Sequence, residues 1–463
     1  MTSNKLFGTD GVRGVANVYP MTVEMAMFIG QAVAAILKEH AHRQRILIGK
    51  DTRLSGYMLE NSLVAGICSM GGDALVVGPL PTPAVAFLTR NMRADAGIVI
   101  SASHNPYEDN GIKVFGRDGY KLPDNLEEEL EEYVRDLRDG SNNAPRPTAD
   151  SVGRARRIED ALGRYIVALK YTFPSHLSLD GLNLAVDCAH GATYRVAPAV
   201  LSELGAGLTL LGVEPNGVNI NAGVGALHPE GLQKIIKEGQ AQVGLALDGD
   251  GDRLIMVDEK GEIVDGDHIL AISAQAMRAK GVLKNNTVVA TVMSNLGLEL
   301  CLADMNIKLL RTSVGDRNVV EAMRQGGFNL GGEQSGHLIF LDHNTTGDGL
   351  LSALQVLSIM VESGKTLHEL KSLLTPIPQV LKSFKVGKRV DLATVPGLVK
   401  AFKQAEQKLG KRGRMLVRYS GTEPLLRVMV ESEDEKLTET MVEELCQAAI
   451  RELGAPDVEC EAG

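Results

Sequence analysis

The sequence predicts an α/β protein of several domains, closed by a smaller α+β domain. Three observations carry this expectation. Short, wholly apolar runs of the kind that fill buried parallel strands alternate with stretches whose apolar residues recur at helical spacing. That alternation is gone through three times, and a polar segment with two prolines, 139–150, reads as an exposed linker after the first pass. Beyond residue 368 the pattern changes to strands joined by tight turns and one long amphipathic helix, as in a small antiparallel α+β domain. The length of 463 residues exceeds what one core serves and suggests about three domains, give or take one. The expected divisions are 1–152, 153–256, 257–368 and 369–463.

The first pattern opens at residues 5–14, where Gly8, Gly11 and Gly14 surround Arg13. This reads as a loop folding closely around something, and the paired donors of a guanidinium suit a phosphate. Met25, Ile29, Val33, Ile36 and Leu37 predict a helix over 21–38. Strands at 46–49 and 74–77 flank a helix at 59–70 that stops at Gly71-Gly72, and a further helix opens at Pro81 and runs through Leu88. Ile98-Val99-Ile100 is a buried-type strand, after which Ser101-Ala102-Ser103-His104-Asn105-Pro106 turns polar and Pro106 forbids continuation. Ser103 therefore lies just past the carboxyl end of a strand, where open α/β sheets place ligands. By itself the stretch is equally an ordinary polar turn. A strand at 111–115 brings Lys113 back toward Ser103, and Leu126, Leu130, Val134 and Leu137 mark an amphipathic helix.

The second pattern has strands at 182–187, 208–210 and 243–247 and a helix at 196–204. The strand at 243–247 runs into Asp248-Gly249-Asp250-Gly251-Asp252-Arg253, and 254–257 with 262–264 form a hairpin. The third has strands at 288–292 and 308–310, helices at 296–305, 318–324 and 349–361, and a glycine-rich loop at 331–337. The closing domain has strands at 384–386, 415–418 and 425–430, and a helix carrying Leu437, Met441, Leu445 and Ala449.

Hydrophobic residues at 44% and charged residues at 23% are those of an ordinary globular protein. A net charge of −10 disfavours a nucleic-acid partner, so any anionic substrate must meet cations gathered locally. The five cysteines are scattered and form no CxxC pair, which fits a reducing cytoplasm and argues against a disulfide framework or a zinc site. The opening residues lack the apolar core of a secretory signal, and no apolar run approaches the ~20 residues that span a bilayer.

Asp248, Asp250 and Asp252 alternate at a strand end, and such close carboxylates repel unless a cation neutralises them; all-oxygen donors fit Mg²⁺ rather than Zn²⁺. An EF-hand loop is rejected because Arg253 stands where that loop needs glycine. Ser420, Gly421 and Thr422, between Arg418 and Arg427, form a second anion candidate from hydroxyls, turn amides and guanidiniums. Glu333, Ser335 and His337 would point to one side if their loop is extended, where they could grip sugar hydroxyls. Gly364-Lys365-Thr366 is not a P-loop, since Ile359 replaces the first glycine, and no Gly-x-Ser-x-Gly elbow surrounds Ser103.

Taken together and in this order, the Ser-Ala-Ser-His-Asn-Pro, Asp-Gly-Asp-Gly-Asp-Arg, Gly-Glu-Gln-Ser-Gly-His and Arg-Tyr-Ser-Gly-Thr-Glu-Pro segments resemble the α-D-phosphohexomutase family from end to end. The resemblance implies three similar α/β domains with mixed, largely parallel sheets and a C-terminal α+β domain around a central cleft that opens and closes. It implies a phosphoserine at Ser103 and one Mg²⁺ held by Ser103, Asp248, Asp250 and Asp252. Arg253 and Lys113 would add positive charge, while Arg418, Ser420, Gly421, Thr422 and Arg427 would hold the phosphate that is not reacting. Glu333 and Ser335, with His337 nearby, would bind the sugar. His104, Lys113, Arg13 and His337 are the acid/base candidates. Gln334 and the Phe-Gly-Thr-Asp-Gly-Val-Arg-Gly opening resemble the branch acting on glucosamine phosphates; relatives acting on mannose or glucose phosphates more often carry Met in the sugar loop. The implied reaction interconverts glucosamine 6-phosphate and glucosamine 1-phosphate through a sugar 1,6-bisphosphate, feeding UDP-N-acetylglucosamine and cell-wall precursors. Alternatives are a mannose- or glucose-phosphate mutase of the same family, a metal-dependent sugar phosphatase, or a non-catalytic sugar-phosphate sensor. The expected partner is a phosphosugar, with no nucleic acid or membrane, and the assembly allows a homodimer in the cytoplasm.

Overall fold

Apolar runs set the central strands, and their order repeats. The computed structural model describes residues 5–8, 10–37, 42–142, 145–387, 389–419, 425–454 and 461–462. It divides into a larger unit, Met1–Thr291 with Leu310–Leu373, and a smaller one, Val292–Leu309 with Leu374–Gly463.

The first sheet is made by β1 (Val12–Val15), α1 (Val23–Ile36), β2 (Arg45–Lys50), α2 (Gly56–Ser69), β3 (Asp73–Pro79), α3 (Thr82–Asn91), β4 (Ala96–Ile100), β5 (Asp109–Gly116), α4 (Asp124–Arg138) and β6 (Ala155–Arg157). Its strand order is β1-β5-β4-β2-β3-β6. The second follows with α5 (Ala161–Tyr171), β7 (Asn183–Asp187), α6 (Val196–Glu203), β8 (Gly207–Leu211), α7 (Glu230–Lys237), β9 (Val243–Leu247), β10 (Leu254–Val257) and β11 (Ile263–Val264), in the order β11-β10-β9-β7-β8. The third has α8 (Gly266–Ala279), β12 (Thr287–Thr291), α9 (Leu296–Asp304), β13 (Lys308–Thr312), α10 (Asp316–Gly326), β14 (Leu330–Gly332), β15 (Leu338–Phe340), α11 (Gly349–Ser363) and α12 (Leu367–Lys371), in the order β13-β12-β14-β15. Of these, α9 falls in the smaller unit.

One core order therefore recurs: β3-β2-β4-β5, β8-β7-β9-β10 and β13-β12-β14-β15. In each, a strand parallel to its central neighbour (β4 on β2, β9 on β7, β14 on β12) is followed by an antiparallel return strand. The three reversals are 101–108, 248–253 and 333–337, so the same topological corner carries the serine, the aspartates and the Glu-Gln-Ser-Gly-His turn.

Val12–Val15 corrects the reading of 5–14 as one loop. It is an edge strand antiparallel to β5, with Arg13 opposite Gly111, where a Cβ would lie 3.1 Å from Arg13 Cγ, so the glycine leaves room for the arginine stem. The helices α5, α7, α8 and α12, a helix at Pro396–Leu409 and the three-residue strands β6, β14 and β15 come in addition to the elements read from the sequence. Two glycines let α1 and α2 touch backbone to backbone: a Cβ on Gly30 would meet Leu63 O at 2.6 Å, and one on Gly66 would meet Met27 O at 2.3 Å.

The smaller unit adds β16 (Gln379–Lys385), α13 (Pro396–Leu409), β17 (Gly413–Tyr419), β18 (Leu425–Ser432), α14 (Glu435–Leu453) and β19 (Glu461–Ala462), in the antiparallel order β17-β18-β16-β19. Buried Glu431 ties α9 to this sheet: it accepts from Leu296 N–H at 3.2 Å and Asn295 Nδ2 at 3.2 Å, and it pairs with Arg414. Among the described residues, no helix is long and apolar enough to cross a membrane. Cys68 and Cys188 are free thiols.

Candidate active site

β4 is buried throughout and delivers the chain to Ser101, whose hydroxyl donates to Asp51 Oδ2 at 2.6 Å and accepts from Ser103 N–H at 2.9 Å. Ser103 itself sits at φ +54° and is 1% exposed. Its Oγ donates to Asp248 Oδ2 at 2.7 Å and lies 3.3 Å from His104 Nδ1. Burial, with Arg253 and Arg13 beside it, pushes the His104 ring down to about 4, so the imidazole is neutral near pH 7.

β9, also buried throughout, delivers Asp248, Asp250 and Asp252, which are all buried and offer oxygens within 4.8 Å of one another. Asp250 Oδ2 accepts from Thr82 Oγ1 at 2.6 Å and from Lys113 Nζ at 2.8 Å, and Lys113 Nζ lies 3.7 Å from Asp252 Oδ2. Lys113 reaches them because β5 returns beside β4, with Lys113 opposite Val99. Burial raises the Asp248 carboxyl, and Asp252 and Asp250 push it the same way. Burial also works to raise Asp250, but the Lys113 ammonium outweighs it and the carboxyl ends low. Lys113 shows the counterpart: burial pulls it down, Asp250 and Asp252 more than offset this, and it stays a cation. The residues present fit a divalent cation. Asp250 Oδ1 and Asp252 Oδ1 are buried with no hydrogen-bond partner, and a pure carboxylate donor set suits a hard ion.

The glycine-rich turn departs from the extended form. Glu333 N–H donates to His337 O at 2.9 Å and Gly336 N–H to Glu333 O at 3.0 Å, which folds 333–337 into a tight reversal. Glu333 and exposed Ser335 then lie together, with Oγ 3.3 Å from Oε2, while His337 is buried on the aspartate side. His337 Nε2 is 3.7 Å from Asp316 and 3.9 Å from Asp252, and neither ring nitrogen makes a hydrogen bond. Gln334 Nε2 donates to Asp265 Oδ2 at 3.2 Å.

Around these groups runs a charge network that sequence reasoning missed. Lys121 bridges Asp10 at 3.1 Å and Asp316 at 2.6 Å, and Arg13 pairs with Asp10 at 3.3 Å. Asp51, Arg53, Thr82, Ser101 and Asn221 also belong to the site. Their partners are fixed by separations of up to 168 residues, so no local spacing signals them. The structure thus gathers Arg13, Ser103, His104, Lys113, Asp248, Asp250, Asp252, Arg253, Glu333, Ser335 and His337 in the larger unit.

In the smaller unit Arg418 and Arg427 stand directly opposite each other on β17 and β18. Burial lowers Arg418, and the facing Arg427 charge lowers it further. Ser420, Gly421 and Thr422 lie outside the described residues.

The corner-loop constellation defines a class. Four segments match the phosphoglucomutase/phosphomannomutase family: its alpha/beta/alpha domain I over residues 4–140, domain II over 163–261, domain III over 265–377 and its C-terminal domain over 381–448. The chain belongs to this family. Among curated relatives it is 58% identical over 451 residues to the phosphoglucosamine mutase of Syntrophotalea carbinolica, covering 97% of this chain and 98% of that one. It is 60% identical over 431 residues to the phosphoglucosamine mutase of Geobacter sp. strain M21, covering 93% and 94%. Its fold is that of a phosphoglucomutase/phosphomannomutase family protein from Burkholderia thailandensis, with a TM-score of 0.80 at 23% identity, covering 98% and 99%. It is also that of the Aspergillus fumigatus N-acetylphosphoglucosamine mutase solved with GlcNAc-6P and magnesium, with a TM-score of 0.65 at 17% identity, covering 96% of each chain.

Proposed function

We propose that this enzyme interconverts glucosamine 6-phosphate and glucosamine 1-phosphate, the amino-sugar activity that the relatives' names carry. The observation that supports it most is Ser103: a hydroxyl 1% exposed, 2.7 Å from a carboxylate of a buried aspartate triad, is placed to carry a phosphoryl group away from water. In the forward direction, phosphoserine 103 passes its phosphoryl group to O1 of glucosamine 6-phosphate. The Ser103 O–P bond breaks, the O1–P bond forms, and the O1 proton leaves to a base. The 1,6-bisphosphate reorients, the O6–P bond breaks as the Ser103 Oγ–P bond forms, the base returns its proton to O6, and glucosamine 1-phosphate departs.

Phosphoryl transfer demands alignment and charge compensation above all. Asp248, Asp250, Asp252 and the group on Ser103 would hold one Mg²⁺, which when bound supplies positive charge to the transferring oxygens. Lys113 and Arg253 add fixed positive charge from protein. Of His104, Lys113 and Arg13, only neutral His104, 3.3 Å from Ser103 Oγ, can accept a proton, since Lys113 is held protonated and Arg13 offers donors only. Glu333 and Ser335 grip sugar hydroxyls, and Arg418 and Arg427, with Ser420, Gly421 and Thr422, take the phosphate that is not reacting. The product would feed UDP-N-acetylglucosamine and cell-wall precursor synthesis in the cytoplasm, and the mass of the enzyme in solution distinguishes a homodimer from a monomer.

The test is turnover of glucosamine 6-phosphate against glucose 6-phosphate and mannose 6-phosphate, with sugar 1,6-bisphosphate added and inorganic phosphate measured alongside. Preference for glucosamine with little phosphate released is expected, and Ser103→Ala should abolish turnover. A preference for mannose would move the chain to another branch, and stoichiometric phosphate release would make it a phosphatase.

A further inference from the structure

Ser103 occupies the left-handed region, which a residue with a Cβ adopts only when its surroundings hold it there. Two side chains from two different sheets do the holding. Arg53, in the turn after β2, is fully buried. A guanidinium has five N–H donors, and all five of Arg53 are used. Nε donates to Asp51 Oδ2 at 2.7 Å; Nη1 donates to Asp109 O at 2.9 Å and to Pro106 O; Nη2 donates to Ser103 O at 3.0 Å and Asn105 O at 2.9 Å. A buried ion pair alone would need one or two of these. Here three go to backbone carbonyls of the loop that carries Ser103, and a fourth to the first residue of the strand that follows it.

Asn221 approaches the same loop from the second sheet, in the connection between β8 and α7. Its Nδ2 donates to Ser103 O at 2.9 Å and Asn105 O at 3.0 Å, so these two carbonyls each receive one donor from Arg53 and one from Asn221. Gly249, between the first two aspartates, completes the seat. A Cβ there would lie 2.5 Å from Ser103 O and 2.9 Å from Asn221 Nδ2.

We propose that Arg53 and Asn221 are positioning residues for the phosphoryl carrier: their donors, converging on the Ser103 and Asn105 carbonyls, fix the left-handed turn that aims Ser103 Oγ at Asp248. The inference rests on the reading of Ser103 as that carrier. Neither residue touches substrate; each acts through the backbone. Releasing the carbonyls lets the serine relax toward ordinary backbone angles and swings Oγ off its line, which slows transfer without weakening the hold on the sugar.

The experiment uses the full chain and follows phosphorylation of Ser103 by glucosamine 1,6-bisphosphate, read as intact mass over time, together with steady-state turnover. Asn221→Gly removes the amide while accepting φ +59° at position 221, so backbone strain is not added. It should lower kcat and the Ser103 phosphorylation rate by about 10- to 100-fold with KM within about two-fold. Asn221→Asp sets a carboxylate against two carbonyl oxygens and should be slower still. Arg53→Lys keeps the charge but cannot span four carbonyls, and should show the same split between kcat and KM. Phosphorylation of Ser103 at the unaltered rate in the Asn221 variants would overturn the proposal, as would a rise in KM alone. Failure of the unaltered enzyme to take a phosphoryl group on Ser103 would instead overturn the functional reading.

Discussion

The proton that leaves the sugar hydroxyl has few destinations near Ser103. Lys113 is 2.8 Å from Asp250 and held as a cation by Asp250 and Asp252 against the pull of burial, so it stabilises charge and does not take protons. Replacing it with methionine keeps the stem and deletes the charge; kcat should fall by roughly 10²- to 10³-fold, measured with saturating bisphosphate. His104, pushed down to about 4 by burial and by Arg253 and Arg13, is neutral near pH 7 and free to accept a proton. Its charged form is the disfavoured one, so no change of rate near pH 6.5 belongs to this ring. His104→Asn should then lower kcat by roughly 10²-fold while leaving the shape of the pH–rate profile between about pH 6 and 9 unaltered. An ascending limb near the ordinary histidine value of about 6.5 that vanishes in the variant would show that the ring titrates in the working range.

At the scale of elements, what the sequence makes legible is what local chemistry decides. β4 and β9 are continuous runs without a polar side chain, bounded by Asp95 and Ser101 and by Gln242 and Asp248, and both lie where those runs do. By contrast β14 contains two glycines in three residues and β15 has only three, too short for any period to register. Helix α8 opens with glycine, aspartate and histidine, residues that ordinarily break or cap, and forms because Asp265 caps it by accepting from His268 N–H at 3.1 Å. The contact of α1 with α2 was equally silent, since Gly30 and Gly66 look like weak points in helices until the partner backbone is seen to fill the space. Gly66→Ala would drive a methyl into Met27 O and should destabilise the protein by about 1–3 kcal/mol in urea denaturation followed by circular dichroism. In the smaller unit, Glu431→Ala leaves Arg414 without its carboxylate and releases Asn295 and Leu296 N–H together. A loss of about 3–5 kcal/mol is expected by the same measurement, whereas Glu431→Gln, which retains acceptor oxygen, should lose less.

Across the whole molecule, the candidate site's own residues could be read in the sequence and their supports could not. Ser103 and the three aspartates stand in compact motifs, but the contacts that aim them run through Thr82, Arg53, Asn221 and the Asp10–Lys121–Asp316 bridge, which only tertiary folding brings together. His337 shows the same limit from the other side: period-two alternation placed it with Glu333 and Ser335, and a backbone reversal turned it away. This assembly brings three buried carboxylates together at one corner of two sheets, and its stability should reveal that cost. Burial, with Asp252 and Asp250 adjacent, raises the Asp248 carboxyl, so the folded chain binds that proton more tightly than the unfolded chain does. Stability of the metal-free protein therefore falls as pH rises from the ordinary value of 3.8 through the raised one. Asp250 runs the other way, since Lys113 lowers it, and its contribution is lost only on acidification below 3.8. The carboxylates titrate as a cluster, and a divalent cation competes with the proton held at Asp248. Added Mg²⁺ should consequently raise the Tm, by the equivalent of about 2.7 kcal/mol at a hundred times its Kd, and at one fixed Mg²⁺ concentration the increment should grow as pH rises from 3.8 through the raised Asp248 value. Asp248→Asn keeps the shape and removes one charge. It should melt higher than the unaltered chain when both are treated with EDTA at neutral pH, and it should respond weakly to Mg²⁺. A Tm increment independent of pH, or an equal response in the variant, would show that the cation binds elsewhere.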